Sequence, residues 1–267
     1  MKKLATIVFI SITLFACQKE TIKPLSFQHK ELNHDSLKYF FKDYLSAKRI
    51  VRSGKFASLS TARTKIPRGA NVILVDFDGG VCSGTSWNVS GDINYAPANL
   101  TTDEQQRVLD SMQIDYAPFN IYITTSEQAY NNANQYKRRR LIFTTTYEWY
   151  GNSAGGVAYT GSFTWGDESP CWVFTSLLNY NVKSILEAGS HEAGHTLGLR
   201  HQAVWDDSCN LVSSYNYGYD DGVTSWAPIM GVGYDRRLTT WHIGPTSLGC
   251  NNIQDDKQII ASVVGYK

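Results

Sequence analysis

"HEAGHTLGLRH", residues 191–201, is the stretch on which the reading of this chain turns. Two histidines stand four residues apart with a glutamate between them, and a glycine leads to a third histidine. On a helix, residues four apart project from one face, so His191 and His195 can bind one ion through imidazole nitrogens. Glu192 sits one step round, placed to take a proton from water rather than to act as a ligand. An unbroken helix would put His201 ten residues from His191, roughly 15 Å along the axis at about 1.5 Å per residue. Gly198 allows a helix end at positive φ, after which the chain can turn back. Only with that break does His201 become a third ligand. Three of the six histidines in the chain lie within these eleven residues, which separates the pattern from a chance HExxH.

The segment carrying the motif, "NVKSILEAGSHEAGHTLGL" (181–199), places Val182, Ile185, Leu186, Ala193 and Leu197 at helical spacing. Upstream, "NVILVDF" (71–77), "NIYITTS" (120–126), "RLIFTTTYEW" (140–149), "GGVAYTGSFTW" (155–165) and "CWVFTSLL" (171–178) are rich in β-branched and aromatic residues and read as strands. "TTDEQQRVLDSM" (101–112) reads as a helix, with threonine and acidic residues at its start. After His201 the chain is loop-like and aromatic until "NNIQDDKQIIASVVGY" (251–266), a predicted final helix. Strands first, then a long helix, then an irregular segment closed by a helix give an α+β domain over residues 69–267.

Hydrophobic residues at 42% and charged residues at 18% fit a globular protein that buries a real core. The net charge of +1 hides an asymmetry. Residues 18–68 carry 12 basic against 4 acidic side chains, and residues 69–267 carry 11 against 20. A basic front on an acidic body suits a leader that docks on that body or lies near anionic lipid. The acidic large domain argues against a nucleic-acid partner.

"MKKLATIVFISITLFAC" reads as an export signal over residues 1–16, with Lys2 and Lys3 before an apolar run too short to span a bilayer. Cys17 follows Leu-Phe-Ala, which resembles the bacterial lipobox, and that resemblance implies a lipid-bearing Cys17 and a cell-envelope lipoprotein. Residues 17–68 then form a lipid-anchored tether or a removable pro-segment. Within them Leu37, Phe40, Phe41, Tyr44 and Leu45 make one apolar helical face, and "TARTKIPRG" (61–69) reads as an exposed linker. Cleavage in that region would release a secreted form. The other cysteines, Cys82, Cys171, Cys209 and Cys250, are even in number in an exported chain and suggest two disulfides. Three pairings exist, and Cys82–Cys171 with Cys209–Cys250 is the favoured one. None of the four has CxxC spacing, which speaks against a structural zinc site.

The extended pattern HExxHxxGxxH resembles the metzincin metallopeptidases, whose second mark is a tight turn containing methionine beneath the metal. "APIMGVGY" supplies the candidate turn, with Met230 following His201 by 29 residues. The order of elements over about residues 70–267 is similar to the family's arrangement. The resemblance implies a metzincin-like zincin: a mixed, mostly parallel twisted sheet, an active-site helix, and a smaller irregular C-terminal subdomain ending in a helix. "AGGVAYTGSF" resembles the upper edge strand along which such enzymes bind extended peptides antiparallel, which makes Gly155, Gly156, Val157, Ala158, Tyr159 and Thr160 candidate substrate contacts.

The match also has departures. The residue after the third histidine is Gln202, neither the acidic nor the proline type that marks named branches. Residues 18–68 contain no cysteine with which to hold latency in the manner of matrixins. Astacins and serralysins carry a tyrosine two residues beyond the methionine; Val232 stands there, and Tyr234, four beyond, is the candidate transition-state contact. His242 is a candidate substrate neighbour. "DDSC" (206–209) and "YDDG" (219–222) are weak candidates for calcium. The resemblance implies that the segment carrying Tyr215, Tyr217, Tyr219 and Trp226 helps wall the substrate pocket, where loop packing is the other account of it.

The expectation is a monomeric zinc endopeptidase with one catalytic Zn2+ on His191, His195 and His201 and Glu192 as general base, acting on extended peptide or protein substrates. The alternatives are a catalytically silent surface-binding protein with a metzincin shell, and a zinc protease restricted to glycoproteins.

Overall fold

The apolar runs upstream of the motif assemble into one five-stranded sheet. The computed structural model describes residues 66–222 and 224–267; the export signal, Cys17, the segment up to residue 65 and its amphipathic stretch lie outside the described residues. The strands are β1 (Asn71–Asp76), β4 (Ile121–Thr124), β5 (Arg138–Thr144), β6 (Gly156–Val157) and β7 (Cys171–Phe174), in the order β4-β1-β5-β7-β6. All pairings are parallel except β6, which runs antiparallel to β7 at the edge. β1 and β7 lie inside the sheet and are buried along their whole length, so they read as unbroken apolar runs. β4, at the other edge, alternates between buried and half-buried residues.

The two-residue period of a strand sends its side chains into two separate cores. Ile73, Leu141, Phe143, Cys171 and Val173 face a core shared with the helices. Ile142, Trp172 and Phe174 face an aromatic core with Trp87, Ile93 and Val157. That second face is covered by the hairpin of β2 (Gly80–Cys82) and β3 (Ile93–Tyr95), and Trp87 is anchored there by its indole N–H to the Pro170 carbonyl at 2.7 Å.

Helix α1 (Thr102–Asp115) starts at a capping box in which Thr101 and Glu104 satisfy each other's backbone N–H groups. It packs beside α3 (Val182–Thr196), whose N-terminus is capped by Asn181. Gly189 makes the approach of α3 to the sheet possible, because a Cβ there would stand 2.9 Å from the Phe143 ring and 3.1 Å from Met112 Sδ. The short helix α2 (Glu127–Asn132) follows β4, and α4 (Asp256–Val264) adds Ile260 and Val264 to the helix-side core. The result is an α+β fold with a mostly parallel sheet.

Several predicted elements change length. "GGVAYTGSFTW" is a strand only at Gly156–Val157, because Gly161 at φ 77° turns the chain into a single 3-10 turn over Ser162–Thr164. "RLIFTTTYEW" pairs earlier, from Arg138, and stops at Thr144. The predicted final helix is half strand: β13 (Gly249–Asp255) pairs with β12 (Ile243–Thr246), and Asp255 then caps α4 by accepting from the Gln258 N–H. The segment after His201 is more regular than its sequence suggests, with short pairs β8 (Val204–Trp205) with β9 (Leu211–Ser213) and β10 (Trp226–Pro228) with β11 (Leu238–Thr240).

One predicted disulfide forms and the other does not. Cys209 and Cys250 are joined across 41 residues, tying the turn after β8 to β13. Cys82 and Cys171 are free and buried, because Cys171 points into the helix-side core and Cys82 into the aromatic core on the other face. Chain-entropy arithmetic for a loop of this length gives about 4 kcal/mol for the bond that does form. Cys209→Ser should therefore lower the urea midpoint by that amount of stability, and alkylation of the unreduced, denatured chain should label Cys82 and Cys171 but neither Cys209 nor Cys250.

Candidate metal centre and its surroundings

The end of α3 builds the centre. Gly198 adopts φ 101°, its N–H reaches the His195 carbonyl at 2.9 Å, and the Leu199 N–H reaches the Gly194 carbonyl at 3.1 Å. That pair of bonds is a Schellman cap, which satisfies the last carbonyls and reverses the chain. The reversal brings His201 back under the helix. The three imidazole rings then lie with centroids 4.7, 5.1 and 4.7 Å apart, and their candidate ligand atoms all fall within 4.8 Å of one another.

Their hydrogen bonds define which nitrogens face inward. His191 Nδ1 lies 2.8 Å from the Ile229 carbonyl, and His195 Nδ1 lies 2.7 Å from the Leu199 carbonyl. A carbonyl only accepts, so both Nδ1 atoms carry the proton and both Nε2 atoms present a lone pair. His191 Nε2 is buried with no hydrogen-bond partner, and His195 Nε2 stands 3.0 Å from His201 Nε2. Burial holds all three imidazoles in the neutral, ligand-competent form: His191 titrates at about 4, His195 at about 3, and His201 well below the usual histidine range. Three buried neutral imidazoles converging on one point can hold a metal ion.

Glu192, one residue after the first histidine, is 2% exposed, and burial pushes its carboxyl well above the usual carboxylate range. It faces β6 from beneath, where a Cβ on Gly156 would meet it. The predicted methionine turn lies under the histidines. Gly231 N–H bonds the Pro228 carbonyl at 3.0 Å to close the turn, and Met230 is fully buried against Gly194, where a Cβ would come within 2.8 Å of its sulfur. So the glycine inside HEAGH makes room for the methionine.

Gln202, which matched no named branch, ties these parts together. Its N–H donates to the Met230 carbonyl at 2.8 Å and its carbonyl accepts from the Asn216 N–H at 2.7 Å. Its side-chain amide donates to Asp256 Oδ1 at 3.0 Å and to the His242 carbonyl at 3.1 Å. The third histidine, the methionine turn and the start of α4 are thereby joined through one residue.

The remaining candidates divide. Tyr215 packs on His201 at 4.4 Å between centroids, whereas Tyr219 and Trp226 pack on each other and Trp226 on His242. Tyr234 lines a small cavity with His191, Ile229 and Val232, and its hydroxyl lies 2.9 Å from where a Cβ on Gly155 would stand. Of the six edge-strand candidates, Gly156 and Val157 pair with β7, and the Gly155 carbonyl accepts from the Phe174 N–H at 2.8 Å. Ala158, Tyr159 and Thr160 leave the strand, with Tyr159 stacked on Trp87 at 4.0 Å.

The calcium candidates are engaged with their own turns. Asp206 accepts from the Ser208 and Asn210 N–H groups, and Asp221 from the Thr224 N–H. Among the described residues, the three histidines are the only group of three or more His, Cys, Asp or Glu side chains that converge closely enough for an ion. Sequence reasoning missed Glu187, 5% exposed and paired with Lys183, although it lies four residues before His191 on the same helix and lines the Tyr234 cavity. No protein-family model matches the chain, and no curated protein or solved structure is significantly similar to it.

Loss of His201 removes one of three convergent nitrogens. His201→Ala should weaken metal retention by more than the roughly 10–100-fold that loss of an outer partner costs, read by metal analysis after dialysis against a graded chelator. The depressed histidine values also set a pH dependence for the metal-free protein. The unfolded chain takes up protons from about pH 6.5 downward, while folded His191 and His195 stay neutral until about 4 and about 3. The unfolded state therefore binds more protons across that window. The share of stability that His191 and His195 contribute is complete above about pH 6.5 and is lost as pH falls toward 4. Melting temperatures in chelator should fall over that range, and the fall should shrink in a His191→Gln/His195→Gln variant.

Proposed function

We propose that this chain is a zinc-dependent endopeptidase with a metzincin-like fold. The observation that carries the reading is the convergence of His201 on the HExxH pair, with Glu192 buried alongside and the Met230 turn beneath. Zinc fits the donor set: all three ligands are neutral imidazoles, and tetrahedral Zn–N bonds of about 2.0–2.1 Å need nitrogens about 3.3 Å apart. The spacing here begins at 3.0 Å and stays within 4.8 Å, and the buried His191 Nε2 has no other partner.

A zinc ion held there supplies Lewis acidity toward water and toward a peptide carbonyl. The rest falls to the chain. The charge of a metal ion on the three imidazoles would offset the burial that favours the protonated Glu192, and the Glu192 carboxylate then accepts a proton from the attacking water and returns it to the leaving amine, so no covalent intermediate with the protein is required. The outer edge of β6 is the proposed contact for an extended peptide, and Tyr234, which lines a small cavity with His191, is the proposed donor toward developing negative charge. Burial around the histidines keeps them unprotonated at neutral pH and so available as ligands.

The proposed setting is the cell envelope of an exporting bacterium, with the chain lipidated at Cys17, or the exterior after cleavage within residues 18–68. Among the described residues no helix is long and apolar enough to cross a membrane.

Zinc-loaded protein should cleave a peptide library. Glu192→Ala should keep one metal per chain and lose activity by about 10²–10⁴-fold, the usual worth of a positioned general base. Turnover unchanged in Glu192→Ala, or no cleavage of any peptide or of casein by the wild type, would sink the reading.

A further inference from the structure

The edge strand and the motif helix meet at one residue. Gly156 pairs with Val173 across β7 and is buried. A Cβ on Gly156 would stand 2.7 Å from Glu192 Cγ, 2.8 Å from Glu192 Oε1 and 2.5 Å from the Trp172 carbonyl oxygen. The volume that any side chain at 156 would fill is therefore already occupied, on one side by the Trp172 carbonyl oxygen and on the other by the carboxylate arm of Glu192. Backbone conformation does not call for glycine here, since Gly156 is not among the positive-φ residues. The requirement is one of space. Gly155 differs in kind: a Cβ there would meet the ends of the Leu178 and Tyr234 side chains, which can swing aside.

Glu192 has little else to hold it. None of the salt bridges among the described residues includes it, and it is 2% exposed. A three-torsion side chain without a charged partner takes its rotamer from the walls around it.

We propose that Gly156 is the positioning residue for Glu192: the side chain it lacks is the slot in which the carboxylate arm lies. This role rests on the hydrolytic reading given above. In it, β6 sets where the proton acceptor stands relative to the three imidazoles, at the place where the peptide backbone would pass. The competing role for this glycine is pairing alone, since the nearest atom to its missing Cβ is the Trp172 carbonyl oxygen.

Kinetics on the full-length, metal-loaded protein separate the two. Gly156→Ala should lower kcat about hundredfold, the scale of a 1 Å misplacement, while KM changes less than about twofold and metal content stays at one per chain. The visible spectrum of the cobalt-loaded variant should match the wild type, because the imidazoles are untouched. Glu192→Ala removes both Cγ and Oε1 from the slot, so adding Gly156→Ala to that background should lower the denaturation midpoint less than it does in the wild type, a coupling that a double-mutant cycle measures. Equal losses in both backgrounds, or a raised KM with kcat intact, would assign Gly156 to strand pairing and overturn the proposal. Should Gly156→Ala alone fail to fold, recovery of folding in the double variant supports the slot, and failure of both overturns it. A wild type inactive on every peptide removes the hydrolytic reading and this role with it. An active wild type beside an equally active Gly156→Ala removes this role only.

Discussion

The site depends on how α3 ends. A helix delivers two imidazoles to one side, but its own geometry carries the next histidine away along the axis. The Schellman bonds around Gly198 stop the helix within one turn of His195 and use the freed backbone twice. They satisfy the last carbonyls, and they aim the Leu199 carbonyl at His195 Nδ1. One backbone reversal thus places the third ring and sets the tautomer of the second.

That arrangement holds because the parts beneath it are packed without slack. Gly194 admits Met230 against the underside of the helix, and Ile229, the residue before that methionine, lends its carbonyl to His191. Gln202 fastens the returning strand to the same turn and to Asp256 at the start of α4. The Cys209–Cys250 bond closes the loop that contains the turn. Each link is local, yet together they fix two imidazole rings from behind, which is how buried neutral histidines are kept pointing at a common centre.

Much of this was legible along the chain. The motif helix reads from apolar spacing, the first helix from the threonine and acidic residues at its start, and the inner strands from apolar runs. All of these are signals between residues a few positions apart. The edge strand expected over 155–165 is confined to Gly156–Val157: β-branched and aromatic residues also suit a half-buried turn, Gly161 reverses the chain at positive φ, and Tyr159 stacks on Trp87, far away in sequence. The Cys82–Cys171 pairing failed for a related reason: spacing along the chain says nothing about which face of a sheet a side chain meets. The final helix starts only at Asp256 because residues 249–255 pair with β12, and no local pattern announces that partner.

The sequence by itself determined the chemistry on offer: three imidazoles, one carboxylate between two of them, a glycine able to stop a helix, and a methionine in a tight turn. Those follow from residue identity and from the 3.6-residue period. Only the tertiary structure decided that His201 closes on the other two, that Tyr215 packs against its ring, and that Glu192 lies against Gly156. These are contacts between segments distant along the chain, set by excluded volume in a packed interior, and no local pattern in a sequence encodes where such volumes meet.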